Sequence, residues 1–550
     1  YEKAPLMDCF TAPCMGGCPI RQDIPEYIEL CRKGQYASAL RLITEKNPLP
    51  FITGTICAHN CMTKCMRNYY DEPVNIRATK LVAAEKGYDA YMSKITPPAP
   101  VTDGRKVAVI GGGPTGMSAA YFVGRAGIPV TLFEKADRLG GIVRQVIPAF
   151  RISDEAIDKD VALMEKMGVE VKLNTEAPSV AELKAQGYTH IFFAVGAWKA
   201  GRLDIPGNVV PVIGWLRDMK AGKDVSLGHV AVVGGGNTAM DAAALRAGAK
   251  SSTLVYRRTK KYMPADAEEL EMAIADGVEF LELVAPVEQK DGKLICEKMK
   301  LGDPDDKGRR KPVPTGEMVE IPCDTVVSAV GEKVESEVFT RNGITVDEKG
   351  IPAFKTNLEG VYAGGDAMRG PATVVEGIAD AQYFANAVIG EAHKFAIPAK
   401  AVATREEAVA KKGVLCESAK CEGNRCLTCN VVCQVCADVC PNRANVVIEL
   451  PDGRQQILHV DRMCNECGNC AVFCPYDSAP YREKFTLFLT REGFDESVNN
   501  QGFLPLGGKK VLVRLDSKVF EADLDAKNDL PADIEVFIWT VLTKYAYLMG

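Results

Sequence analysis

The 550-residue chain is 47% hydrophobic and 25% charged, with a formal net charge of −6 at pH 7. It is too long for one hydrophobic core, so roughly three to five domains are expected. The mild negative charge argues against nucleic acid as a partner. The apolar run Val536–Met549 is interrupted by Lys544 and is too short to span a bilayer, and no export signal opens the chain. A cytoplasmic protein with no membrane span is expected. The first residue is Tyr1 rather than Met, which fits a trimmed chain or one piece of a longer polypeptide.

In chain order, residues 1–95 read as helices and turns around the cysteines of Cys9-x4-Cys14-x3-Cys18-Pro19 and Cys57-x3-Cys61-x3-Cys65. Of the 20 cysteines, all but Cys296 and Cys323 fall in this window or in Cys416–Cys474. Disulfides are the plain reading of so many thiols. Clusters at metal-ligand spacing without an export signal instead favour metal or iron–sulfur ligation in a reducing compartment. Cys31, in the helical stretch Ile24–Lys33, and the isolated Cys296 and Cys323 are expected to be small buried hydrophobes. Pro97-Pro98-Ala99-Pro100 marks a linker.

From Lys106 to Glu391, short β-branched runs alternate with helical segments, the pattern of parallel βαβ layers. Val107–Ile110 reads as a buried strand, followed at once by Gly111-Gly112-Gly113-Pro114-Thr115-Gly116, a helix, and a second strand ending at Glu134. These glycines allow a tight turn and close backbone approach to a pyrophosphate, and Glu134 suits ribose hydroxyls. The pattern recurs in strand His229–Val233, Gly234-Gly235-Gly236-Asn237-Thr238-Ala239, a helix and strand Thr253–Val255. Here the acid is replaced by Tyr256, followed by Arg257 and Arg258. Guanidinium groups suit a 2′-phosphate, so NADPH is favoured, with NADH as the alternative. The expected α/β unit over 96–391 has two nested Rossmann-like domains, one at 103–222 with 323–391 and the other inserted at 223–322.

Residues 392–415 read as a linker, and 416–484 as a cysteine-dense α+β module of the bacterial ferredoxin type. Cys464-x2-Cys467-x2-Cys470-x3-Cys474-Pro475 is the bacterial ferredoxin run, and Cys429-x3-Cys433-x2-Cys436-x3-Cys440-Pro441 repeats it with one extra residue. Because the cysteine before proline serves the other cluster, one [4Fe–4S] cluster is expected on Cys429, Cys433, Cys436 and Cys474. The second falls to Cys440, Cys464, Cys467 and Cys470. Cys416, Cys421 and Cys426 are left over, to supply a further metal site or to replace Cys429. Residues 485–550 read as a small α/β docking tail with strands Phe485–Thr490, Lys510–Leu515 and Lys518–Leu524 and a helix after Pro531.

Arg138-Leu139-Gly140-Gly141 and the late segment Gly360–Asp366 make residues 107–389 resemble the two-dinucleotide-domain flavoproteins. The resemblance implies that the first unit binds FAD through Gly111, Gly113, Pro114, Thr115, Gly116, Glu134, Lys135, Gly140, Gly141, Arg151, Gly365, Asp366, Thr373 and Val374. The second would bind NADPH through Gly234, Gly236, Asn237, Thr238, Ala239, Arg257, Arg258 and Gly331. With the N-terminal cysteines, the chain resembles the glutamate synthase small subunit and the N-terminal half of dihydropyrimidine dehydrogenase. In full order it is similar to the selenate reductase subunit family. That likeness implies an all-helical N-terminal domain with Cys9, Cys14 and Cys65 on one [4Fe–4S] cluster and Cys18, Cys57 and Cys61 on another, a single cluster being the alternative. Two positions depart from the pattern: Leu6 stands where a cysteine is expected, and Lys80 near where a Gln or Glu completes the second set. Asp8, water or an upstream residue would then supply a fourth ligand.

The implied activity is NADPH-dependent electron transfer through FAD and about four [4Fe–4S] clusters to a partner subunit or fused domain. No residue acts as a general acid or base, because hydride passes directly to flavin N5. The alternatives are an electron donor of the glutamate synthase type, an electron-bifurcating or ferredoxin-linked NAD(P)H oxidoreductase, and an iron–sulfur or nucleotide-sensing scaffold without turnover.

Overall fold

The computed structural model describes residues 11–69, 71–223, 228–244, 249–305, 310–390, 402–412, 422–431, 433–451, 453, 455–476, 478–497 and 500–550. Cys9, Cys416, Cys421, Leu6 and Asp8 lie outside these. The chain forms two compact units: one comprises 40–58 with 80–397, the other 1–39, 59–79 and 398–550. These bounds cut across the expected helical domain at 1–95.

The first unit is built on two five-stranded sheets. One has strand order 361–363, 190–193, 107–110, 130–133, 170–172, all parallel, with Val107 opposite both Val130 and His190. The other runs 209–211, 325–328, 229–233, 251–256, 279–282, also parallel throughout. Its strands lie, in sequence, between the 190–193 and 361–363 strands of the first. Continuous apolar runs such as Val107–Ile110 are buried along their whole length, as strands covered on both faces must be. A three-stranded antiparallel sheet of Val284–Lys290, Lys293–Pro304 and Arg310–Pro322 lies, in sequence, between the 279–282 and 325–328 strands of the second sheet. Cys296 and Cys323 are fully buried in an apolar cluster with Val255, Leu294 and Val326, where small hydrophobes were expected.

Segment 40–58 belongs to this unit through a buried carboxylate. Asp160, fully buried, accepts the backbone N–H groups of Phe51 (3.1 Å) and Ile52 (2.8 Å) and so caps the helix Pro50–Ile56. Two of that helix's otherwise unpaired first-turn donors are thereby satisfied, which a side chain within the helix cannot do when Leu49 is the preceding residue.

In the second unit a six-stranded sheet runs 445–449, 455–460, 486–487, 502–507, 510–515, 518–523. The strands expected in the 485–550 tail therefore continue the sheet of the cysteine-dense segment. The reason is packing: Phe485 and Leu487 are buried with Ile448 and Leu458 on one side and with Phe503, Phe537 and Ile538 on the other. The closing helix Ala532–Lys544 covers this face, with Phe485 and Phe537 edge to face at 5.9 Å between centroids. Residues 422–430 are held to the start of the chain. Arg425 donates to the carbonyl oxygens of Glu72 (2.6 Å) and Pro73 (3.3 Å) and to Asp71 (3.2 Å), while Glu422 accepts the N–H of Asn75 (2.9 Å).

Candidate functional site

A cleft of about 330 Å³ opens at the carboxyl ends of the first sheet's strands. Gly111, Gly113, Pro114, Thr115, Glu134, Lys135 and Gly141 line it from one part of the chain, and Asp366, Thr373 and Val374 from another. Ten of the expected flavin residues are thus brought together across more than 250 positions of sequence. The turn that places them needs glycine. A Cβ at Gly116 would lie 1.9 Å from the carbonyl oxygen of Gly111, so only hydrogen lets the helix Pro114–Arg125 sit down on the strand end. Gly365, at φ +64°, is constrained likewise by Thr115 Oγ1, which would stand 2.3 Å from its Cβ.

Glu134 is buried and accepts the N–H of Gly112 (2.7 Å) and of Ala136 (2.8 Å), which fixes its carboxylate at the strand end. The helix Val374–Ile389 begins at the cleft with a reciprocal capping box between Thr373 and Glu376, a device of about 1 kcal/mol that leaves its N-terminal turn aimed at the cleft. Asp366 accepts the N–H of Ala372 (3.1 Å). Burial, reinforced by Glu332, Glu376 and Asp380, pushes its carboxyl up to about 7 against that hydrogen bond.

Arg151, expected at the flavin, is instead paired with Glu269 and with Asp241 (3.5 Å). Burial is the main reason the Asp241 carboxyl stands at about 7, with Arg151 opposing and Glu269 adding to the rise. Gly116, Gly140 and Gly365 shape the turns behind the cleft lining. Asp380, which the sequence did not single out, is buried and accepts the N–H of Gly365 (2.9 Å).

In the second sheet, Gly234 turns at φ +156° beside the carbonyl of Ala329, and the Tyr256 ring packs on Gly235. The Tyr256 hydroxyl donates to the carbonyl of Tyr262 (2.7 Å), so the ring occupies the strand end at which the first sheet carries Glu134. Arg257 is exposed; Arg258 is half-buried, and its Nε has no hydrogen-bond partner among the described residues. Asn237 Oδ1 accepts the N–H of Asp266 (3.0 Å), and Thr238 bonds Glu332, whose carboxyl is raised by burial against that bond. Gly331 turns at φ +107° and accepts the N–H of Gly201 (2.6 Å). Ala239 is buried in the core of the helix that follows the turn.

Among the thiols, Cys440, Cys464, Cys467 and Cys470 line one small cavity together with His459. Backbone N–H groups point at two of the sulfurs, from Ala444 to Cys440 (3.2 Å) and from Glu466 to Cys464 (3.3 Å). His459 is buried, bonded through Nδ1 to Asn445, and burial pushes it down to about 4, so the imidazole is neutral. Cys436 packs in one apolar cluster with Ile457 and Cys470, and Cys433 and Cys474 are half-buried. A second thiol cavity gathers Cys14, Cys65, Cys426 and Cys429. Cys18 and Cys61 are half-buried, as is Cys57, which ends the helix Pro50–Ile56. Lys80 is buried, and its charge acts on Asp160.

Residues 105–381 match the pyridine nucleotide-disulphide oxidoreductase family, and residues 4–90 match dihydropyrimidine dehydrogenase domain II, 4Fe-4S cluster. The chain belongs to the pyridine nucleotide-disulphide oxidoreductase family. It is 41% identical to "Putative oxidoreductase YgfK" of Escherichia coli K12, over all of this chain and 56% of that protein. It is 36% identical to the NADP(+)-dependent formate dehydrogenase subunit beta of Moorella thermoacetica, over 67% of this chain and 58% of that one. The glutamate synthase [NADPH] small chain of Halomonas elongata is 31% identical over 68% of this chain and 86% of its own length. The chain therefore spans little more than half the length of YgfK and of the formate dehydrogenase subunit. The expected likeness to the glutamate synthase small subunit and to dihydropyrimidine dehydrogenase is met by these matches. The chain is an α/β oxidoreductase carrying FAD- and NAD(P)-binding units behind an N-terminal iron–sulfur domain. No helix among the described residues is long and apolar enough to cross a membrane.

Proposed function

We propose that this chain is the NADPH-oxidising part of a cytoplasmic electron-transfer oxidoreductase whose final acceptor is reduced elsewhere, on a partner subunit or on a further region of a longer protein. The observation that carries this reading is the cleft in which Gly111–Thr115, Glu134, Asp366 and the Thr373 helix start converge. Its glycine-lined turn, which any Cβ at Gly116 would fill, fits the pyrophosphate of FAD. The two parallel sheets are read as nested dinucleotide domains, the first for FAD and the second for NADPH. The half-buried Arg258 and exposed Arg257, beside a Tyr256 that takes the place of an acid, support recognition of a 2′-phosphate.

When bound, FAD supplies the two-electron to one-electron conversion between NADPH and [4Fe–4S] clusters. The chain's own residues hold and orient: Glu134 suits the ribose, and the Gly111–Gly116 turn presents backbone N–H groups to phosphate. The N-terminus of Val374–Ile389 favours negative charge on the isoalloxazine. Cys440, Cys464, Cys467 and Cys470 would hold one cluster, and the N–H groups of Ala444 and Glu466 would stabilise its thiolates. Cys429, Cys433, Cys436 and Cys474 are proposed for the second ferredoxin-type cluster, and Cys9, Cys14, Cys18, Cys57, Cys61 and Cys65 for the N-terminal clusters, giving about four in all.

Anaerobic titration of the purified chain with NADPH tests this. Bleaching of bound flavin and sustained reduction of an artificial dye are expected. Protein that carries no flavin, or flavin that NADPH leaves oxidised, would overturn the proposal.

A further inference from the structure

Cys426 belongs to neither ferredoxin repeat, yet it is buried beside Cys14 and Cys65 in the cavity closed by Ile28, Met66 and Cys429. The residues just before it are fixed to the N-terminal part of the chain. Arg425 reaches Asp71 and the carbonyls of Glu72 and Pro73, Glu422 takes the N–H of Asn75, and Gly423 lies so close to Arg32 that a Cβ would stand 2.6 Å from the Arg32 Cβ. A cysteine carried to this position by a network of charged hydrogen bonds is built into the site rather than stranded in it. The set of Cys9, Cys14 and Cys65 that the resemblance implies is one thiol short of four.

Cys429 lines the same cavity, but it is also the first cysteine of the Cys429-x3-Cys433-x2-Cys436-x3-Cys440 repeat, whereas Cys426 has no place in either repeat.

We infer that Cys426 is a ligand of the N-terminal [4Fe–4S] cluster bound by Cys14 and Cys65, so that the C-terminal segment completes a metal site begun at the other end of the chain. The inference rests on the reading that Cys14 and Cys65 hold a cluster at all. Cys429 remains with Cys433, Cys436 and Cys474.

The test is iron and sulfide analysis with low-temperature electron paramagnetic resonance of the dithionite-reduced full chain. It compares the parent with Cys14→Ser, Cys426→Ser, Cys429→Ser and Cys436→Ser, each normalised to bound flavin as the measure of intact fold. Cys426→Ser is expected to lose or alter the same signal as Cys14→Ser, and Cys429→Ser the signal altered in Cys436→Ser. A Cys426→Ser protein with full iron and every signal unchanged would overturn the inference, as would one that loses the Cys436 signal instead. If Cys14→Ser itself keeps all iron and all signals, the underlying reading fails and the inference falls with it. Should Cys426→Ser not accumulate, Cys426→Asp takes its place, since it offers an oxygen ligand. An altered signal from the Cys14 cluster supports ligation, and an unaltered one refutes it.

Discussion

Asp380 grips Arg369 at two points, Nε to Oδ2 at 2.8 Å and Nη2 to Oδ1 at 2.5 Å, while the same carboxylate accepts the N–H of Gly365. One buried acid thereby ties the Gly365-Asp366 turn to the helix that starts at the cleft proposed for flavin. Asp380→Ala leaves the Gly365 donor and the guanidinium without this partner and is expected to cost about 2–4 kcal/mol. Asp380→Asn, which keeps an acceptor, should cost less. Thermal unfolding and the flavin-to-protein ratio check both, and a flavin content equal to the parent's in the alanine variant would refute the role.

Asp366 gives a pH dependence of defined sign. Burial first, then neighbouring carboxylates, holds its pKa at about 7, above the ordinary aspartate range. The folded chain retains that proton longer than the unfolded chain does. The contribution to stability is therefore complete below about pH 4 and disappears as the pH rises through about 7. Asp366→Asn, which still accepts from Ala372, should flatten this loss. The flavin-free variant should lose less melting temperature than the parent between about pH 5 and about pH 8.

Arg257→Ala combined with Arg258→Ala removes the guanidinium groups that follow strand Ser251–Tyr256, where the NADPH site is proposed. The KM for NADPH is expected to rise roughly 10- to 100-fold, with the KM for NADH little changed. Steady-state dye reduction with both nucleotides measures it. An unaltered preference would mean that the 2′-phosphate is read by other residues.

Cys470→Ala removes a buried thiol from the cavity shared with Cys440, Cys464 and Cys467. Loss of roughly four iron atoms per chain is expected, while anaerobic bleaching of the flavin by NADPH persists. Iron analysis beside stopped-flow absorbance separates the two. Slower flavin reduction would show that this site influences the nucleotide end.

What was legible in the sequence was local. Each glycine turn, with its strand, helix and following acid or arginine pair, is written within about thirty residues, and the ferredoxin repeats carry their spacing in the same way. Relationships across long separations were not legible. Asp380 looks like any acid on a helix until Gly365 and Arg369 are folded against it. Arg151 has the chain position of a flavin ligand, yet Glu269 and Asp241 claim it. Strand Gly502–Gly507 was missed because two glycines and Pro505 weaken any strand pattern. Its first glycine is nonetheless required, since a Cβ there would lie 2.1 Å from the Thr486 carbonyl oxygen.

Arg425 and Asp71 are 354 residues apart. At ordinary rates of synthesis, roughly 20–70 s pass between the emergence of the two from a ribosome. Through that interval the nascent chain displays an acid, two carbonyls and their neighbouring thiols with their guanidinium still unmade. Maturation of this corner accordingly waits for residue 425 to emerge, and a ribosome-stalled chain ending before residue 422 would expose these thiols to alkylation that the finished protein resists.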